Sequence, residues 1–266
     1  MLDQTSIAPV AGSAALPPPL LELRRITKSF GHVQALRGAD FSVQPSEVMA
    51  LVGDNGAGKS TLIKVIAGAH RPDGGDIFFG GQKVSFANPS AATDLGIATV
   101  YQDLALVDQR SVAANLFLGR EPTKGWVVDR DRLIADSEEV LKRLKIRIPS
   151  VHALVGGLSG GQRQAVAIGR TMAQNSRVVI LDEPTAALGV EQQQFVLELV
   201  LQLKSEGKSV ILISHNIGQV MSVSDRITVM RGGLSVGVRR KAETSSDEIV
   251  KMIVGADGSR QEGRTS

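Results

Sequence analysis

Eight consecutive residues, Gly53-Asp54-Asn55-Gly56-Ala57-Gly58-Lys59-Ser60, match the pattern G-x-x-x-x-G-K-[ST]. The residue types suit one task. Glycines let a backbone wrap a phosphate chain with its N–H groups turned inward. A helix that starts where the loop ends adds the positive end of its dipole. Lys59 brings a point charge for the β- and γ-phosphates, Ser60 a hydroxyl for Mg²⁺, and Thr61 continues the set into the helix. A plain glycine-rich turn would match by chance in about 1% of chains this long. A second acid-bearing site is needed to hold Mg²⁺ through its water shell. The apolar run Val178-Val179-Ile180-Leu181 ends in Asp182-Glu183. Asp182 is the candidate for orienting the metal, and Glu183 for polarising an attacking water.

A third string, Leu158-Ser159-Gly160-Gly161-Gln162, places a serine and two glycines before an apolar helical pattern. Read alone, it is either an ordinary helix N-cap or another anion cradle.

The elements that must hold these residues are legible in outline. Residues 48–52 form a short apolar run ahead of the glycine loop, and residues 61–67 carry apolar positions at helical spacing. The segment reads strand, loop, helix. Runs at 178–181 and 210–213 are β-branched and suit buried parallel strands, with a helix over 192–203 between them. That order implies a right-handed crossover and a largely parallel sheet. Residues 21–23 and 39–43 alternate as half-buried strands, and 76–79 and 82–84 flank Gly80-Gly81 as a hairpin. Residues 111–148 read as mainly helical with a break near 122–125, and 160–173 as a helix. A late hairpin is expected around Arg231-Gly232-Gly233.

Composition narrows the function. The chain has 266 residues, no cysteine, 3% aromatics and a formal net charge of +3. The lack of cysteine excludes disulfide frameworks, thiolate metal sites and cysteine nucleophiles. Few aromatics argue against stacking platforms for sugars or bases, and the scattered Lys and Arg argue against a nucleic-acid partner. No apolar run reaches the ~18 residues of a membrane span. Residues 1–20 hold no Lys or Arg and include Pro17-Pro18-Pro19. They are expected to be a disordered leader rather than a secretory signal, and 256–266 a flexible tail.

Taken together, the three motifs in this order resemble the nucleotide-binding subunit of the ABC transporter family, over about 21–255. The resemblance implies an α/β P-loop NTPase core with a largely parallel sheet, an antiparallel β subdomain and a helical signature subdomain at about 103–160. It implies ATP and Mg²⁺ as cofactors. It also implies a head-to-tail homodimer in which Ser159, Gly160, Gly161 and Gln162 of one copy clamp ATP held by the other. Three further positions follow from it. Phe30 stands where the family stacks an aromatic on adenine, unless it is a core aromatic. Gln102, in Val100-Tyr101-Gln102-Asp103, stands where a glutamine touches Mg²⁺ or water and senses the membrane partner. His215, in Ile213-Ser214-His215, stands at the family's switch histidine. Where the family commonly has Asp after Ala187-Leu188, this chain has Gly189, which puts communication across the dimer in doubt.

Asn88-Pro89-Ser90-Ala91-Ala92, Leu95-Gly96-Ile97, the stretch Asn115-Leu116-Phe117-Leu118-Gly119-Arg120-Glu121 and Ser214-His215-Asn216 are similar to the monosaccharide-import branch. The expectation is therefore an ATPase on the cytoplasmic face of the cell membrane. It would energise separate permease subunits served by an external solute-binding protein. A soluble ABC ATPase acting on ribosomes or nucleic acid is the alternative. A P-loop kinase would leave the signature string and His215 unexplained.

Overall fold

The computed structural model describes residues 18–256. β1 (Leu21–Phe30) and β2 (Val33–Val43) pair antiparallel and turn Leu21, Leu23 and Ile26 into the interior. β3 (Val48–Gly53) is buried along its apolar run, as a strand covered on both faces must be. The glycine loop follows, then α1 (Lys59–Ile66), which buries Leu62, Ile63, Val65 and Ile66. β4 (Gly74–Phe79) and β5 (Gln82–Val84) form the expected hairpin through Gly80 and Gly81, both at positive φ. With β1 and β2 they make an antiparallel sheet in the order β2-β1-β4-β5. α2 (Pro89–Asp94), capped by Asn88, leads into β6 (Ile97–Val100).

The middle of the chain leaves the sheets. α3 (Val112–Leu116) is followed by a small hairpin, β7 (Thr123–Lys124) and β8 (Val127–Val128), then by α4 (Arg130–Arg143) and α5 (Gly160–Ala173). The expected break in helix is thus a two-stranded ribbon turning at Gly125, with Trp126 fully exposed at its tip. Leu116, Val140, Leu144 and Ile146 close a shared core with Val166. A Cβ on Gly169 would lie 2.9 Å from Leu116 Cδ2, so the glycine lets α5 approach α3.

β9 (Val178–Asp182), α6 (Val190–Ser205), β10 (Ser209–Ile213), α7 (Ile217–Val223), β11 (Arg226–Arg231), β12 (Leu234–Arg240) and α8 (Ser246–Val254) complete the chain. The main sheet has the order β12-β11-β3-β10-β9-β6. All neighbours pair in parallel except β11 with β12. The carboxyl ends of β3, β10, β9 and β6 therefore share one edge, where open α/β sheets bind ligands.

Neither β6 nor α8 stands out in the sequence. β6 is four residues long, and α8 earns its place by burying Ile249 and Met252 against Val52 and Val229. The expected leader lies outside the described residues up to 17. Leu20, its last residue, is buried and donates its N–H to the Val43 carbonyl at 2.8 Å. The expected tail lies outside them apart from Ala256.

Candidate functional site

The glycine loop is shaped by what surrounds it. Gly58 caps α1 at φ 101°, and a Cβ there would lie 2.7 Å from the Ala35 carbonyl. Gly53, at φ 153°, would press a Cβ to 2.3 Å from the Met230 carbonyl. On the far side, Gly233 donates its N–H to Ala57 O at 3.0 Å and accepts from Arg37 N at 2.8 Å. The loop is thus wedged between β2 and the β11–β12 turn, beneath an open groove of about 530 Å³ lined by Val33, Ala35, Lys59 and Thr61. Lys59 Nζ donates to the carbonyls of Gly53 at 2.7 Å and Asp54 at 3.0 Å. Burial pushes its pKa below the ordinary lysine value, and Glu183, Asp54 and Asp182 oppose that shift. A half-buried ammonium at a helix N-terminus is an electrostatic sink for an anion.

The acids stand across the sheet from it. Asp182 ends β9 opposite Ile213 of β10, and Ile213 is itself opposite Leu51 of β3. Burial raises the Asp182 pKa and neighbouring Glu183 adds to the rise, while Lys59 and Lys64 counter it. Glu183 adopts φ 52°, the left-handed region that costs a residue with a Cβ about 1–3 kcal/mol. Its N–H donates to Ile213 O at 3.0 Å, which fixes that conformation. Its carboxylate Oε2 lies 2.8 Å from His215 Nδ1. The imidazole is largely exposed and the carboxylate mostly buried. With one oxygen tied to the ring, Glu183 keeps the other for a water, and Nε2 of His215 remains open to a further partner.

The donor set suits a hard cation. Ser60 and Asp182 offer oxygens. Among the described residues no group of three or more His, Cys, Asp or Glu could hold a metal unaided. Mg²⁺ is commonly held by one or two protein oxygens, substrate phosphates and waters, and the residues here fit that division.

The other expected site residues divide. Gln102 lies two residues beyond β6, exposed, on the same edge of the sheet. Phe30, at the end of β1, is 45% exposed and meets His70 edge-on at 5.2 Å between centroids, so it is not a core aromatic. Ser159 caps α5 through a reciprocal capping box: its hydroxyl accepts from Gln162 N, and its own N–H donates to Gln162 Oε1 at 3.0 Å. Ser159, Gly161 and Gln162 line a different groove, with Arg147, Gln192 and Phe195. Within one chain, that string is not part of the groove over the phosphate loop.

Sequence reading missed the walls of the site. Val33, Ala35 and Gly233 carry no chemical signature. Nor does a relay in which Thr185 donates to Gln219 at 2.6 Å, Gln219 to Gln193 at 2.9 Å, and Gln193 to the Leu188 carbonyl at 2.8 Å. The relay braces the loop after Glu183 against α7, the helix that follows His215.

Comparison with known proteins places this geometry. A family model described as ABC transporter matches residues 36–186. The chain is 47% identical over 234 residues to the xylose/arabinose import ATP-binding protein of Sulfolobus acidocaldarius, covering 88% of this chain and 93% of that one. It is 46% identical over 237 residues to a ribose import ATP-binding protein of Rubrobacter xylanophilus, covering 89% of this chain but only 47% of that one, about half its length. Among solved structures, an ATP-binding cassette of an ABC transporter in its ADP conformation aligns with a TM-score of 0.78 at 28% identity, over 90% of this chain and 96% of that one. The α/β P-loop NTPase fold expected from the sequence is therefore the fold observed, and the chain belongs to the ABC transporter family.

Proposed function

We propose that the chain is the ATP-hydrolysing subunit of a monosaccharide importer. One observation carries the chemistry: Lys59 at the start of α1, Asp182 at the end of β9, and the Glu183–His215 pair just beyond β9 and β10 gather at one sheet edge. In this reading Gly53 through Ser60 and Thr61 cradle the phosphates, Lys59 holds the β- and γ-oxygens, and Phe30 takes the adenine. Ser60 and Asp182, with Gln102 nearby, hold Mg²⁺, which when bound neutralises charge on the transferred phosphoryl group. Glu183 orients the attacking water and accepts its proton, while His215 keeps the carboxylate in place and faces the γ-phosphate. Ser159, Gly160, Gly161 and Gln162 lie away from this groove, so a second copy presents them to it and the working unit is a homodimer.

The import reading rests on the names of the relatives, which act in uptake of xylose, arabinose and ribose. Among the described residues no helix is long and apolar enough to cross a membrane. The chain then works on separate permease subunits at the cytoplasmic face, with a solute-binding protein outside and no nucleic acid.

The test is Glu183→Gln. The variant should bind Mg-ATP as the parent does and lose turnover by about 10²–10⁴-fold. In vesicles carrying the cognate permease it should stop uptake of a labelled pentose or hexose. Near-parental ATP turnover would sink the assignment of Glu183, and uptake without turnover would sink the energising role.

A further inference from the structure

The loop that follows Gln102 is not held by its own strand. Two successive carbonyls in it, Leu104 O and Ala105 O, both accept from Arg170 Nη2 at 3.2 Å. Ala105 sits at φ 48°, and its N–H is fixed by Asp103 Oδ1 at 3.2 Å. Arg170 belongs to α5, the helix capped by Ser159. The separation from cap to arginine is 11 residues (170 − 159), or about 16 Å of helix at ~1.5 Å per residue.

Arg170 is unusual among the cations of this chain. Burial alone pushes its pKa below the ordinary guanidinium value, and among the described residues no carboxylate pairs with it. Its Nε lies buried without a protein partner. Burying a guanidinium against two neutral carbonyls is costly, and packing could fill the same space more cheaply with an apolar side chain. What the guanidinium adds is one nitrogen, Nη2, whose two N–H groups reach two successive carbonyls at once. Seven residues back on the same helix, Arg163 Nη2 meets Asp108 Oδ1 at 2.8 Å. Asn115, fully buried on α3, accepts from Val107 N at 2.8 Å and donates to Val107 O at 3.0 Å. The stretch from Leu104 to Asp108 is thereby fastened to the helical region, and the fastening nearest Gln102 is Arg170.

We propose that Arg170 is a positioning residue that makes the Gln102 loop and the Ser159 helix one mechanical unit. A displacement of the loop is then passed along α5 to its N-terminus, about 16 Å away at ~1.5 Å per residue. Arg170 touches no nucleotide; it acts through the loop and the helix. The inference rests on the proposed ATPase reading and deepens it, because it names how the metal-side glutamine and the clamping serine are held in register.

The experiment is a double-mutant cycle on the full chain, with folding checked by circular-dichroism melts. Arg170→Ala should lower kcat by about 10-fold or more through loop misplacement. The KM for ATP should stay within about 2-fold, since the phosphate loop is untouched. In a Gln102→Ala background the same substitution should cost under about 2-fold, because both changes break one linkage. Arg170→Lys, which keeps the charge on a shorter, non-planar head, should fall between parent and alanine, and the cycle is run with it if the alanine variant does not fold. Equal proportional losses in both backgrounds, or an unchanged kcat in the single variants, would overturn the proposal. A parent chain that takes up no Mg-ATP by calorimetry would instead sink the ATPase reading on which it stands.

Discussion

Two glycine-rich cradles at helix N-termini behave differently in this chain. At the phosphate loop, Cβ atoms on Gly53 and Gly58 would meet backbone carbonyls at 2.3 and 2.7 Å, and both residues sit at positive φ. The chain's own fold demands those glycines. At the signature string, Gly160 has an ordinary φ, and its nearest neighbour is the tip of Leu188, with Cδ2 3.0 Å from a built Cβ. Gly161 meets Gln192 Cβ at 3.1 Å. No backbone crowds either of them. The first cradle is complete within one chain, whereas the second is closed only by its own capping box. In the proposed dimer, Gly160 faces the nucleotide held by the partner, a close approach that glycine permits.

Substitutions can break or sharpen that contrast. The largest effect is expected from Gly53→Ala. A methyl within 2.3 Å of a carbonyl that is pinned in β11 cannot be relieved by a rotamer change. The loss should be about 3 kcal/mol or more, read as a lowered midpoint in a urea titration. A midpoint within error of the parent would remove the claim that the fold itself requires this glycine. Lys59→Ala comes next. It should weaken Mg-ATP binding by about 10–100-fold in calorimetry, the value of one or two charge-assisted hydrogen bonds. Unchanged affinity would refute the phosphate role of Lys59. Gly160→Ala should be mildest on stability, under about 1 kcal/mol, because only a flexible side-chain tip must move. Its effect should fall on turnover instead. A stability loss as large as that of Gly53→Ala would erase the distinction between the two cradles.

Much of this was legible in the chain itself, for reasons that differ by element. β3, β9 and β10 announce themselves because strands covered on both faces need unbroken apolar runs; β3 and β9 end at Gly53 and Asp182, and His215 lies two residues beyond β10. The phosphate loop was legible because its residue types are forced by both the ligand and the fold. The hairpin at residues 123–128 was not, since two-residue strands have no periodicity to read, and the segment passed as a break in helix. The walls of the groove escaped for another reason. Ala35 and Gly233 contribute backbone rather than side-chain chemistry, and sequence shows only side chains. The Thr185–Gln219–Gln193 relay spans 34 residues between its first two members, a proximity created wholly by the fold.

The same hairpin has a practical bearing. The chain's one tryptophan, Trp126, stands fully in water at its tip, with Val127 and Val128 beside it and also exposed. Its emission should already be red-shifted in the native state and change little on denaturation, so fluorescence at that wavelength is a poor gauge of unfolding. It is for the same reason a selective optical reporter of this one ribbon. Any surface that covers the indole should shift its emission to the blue, while events in the groove over the phosphate loop, which Trp126 does not line, should leave it unchanged.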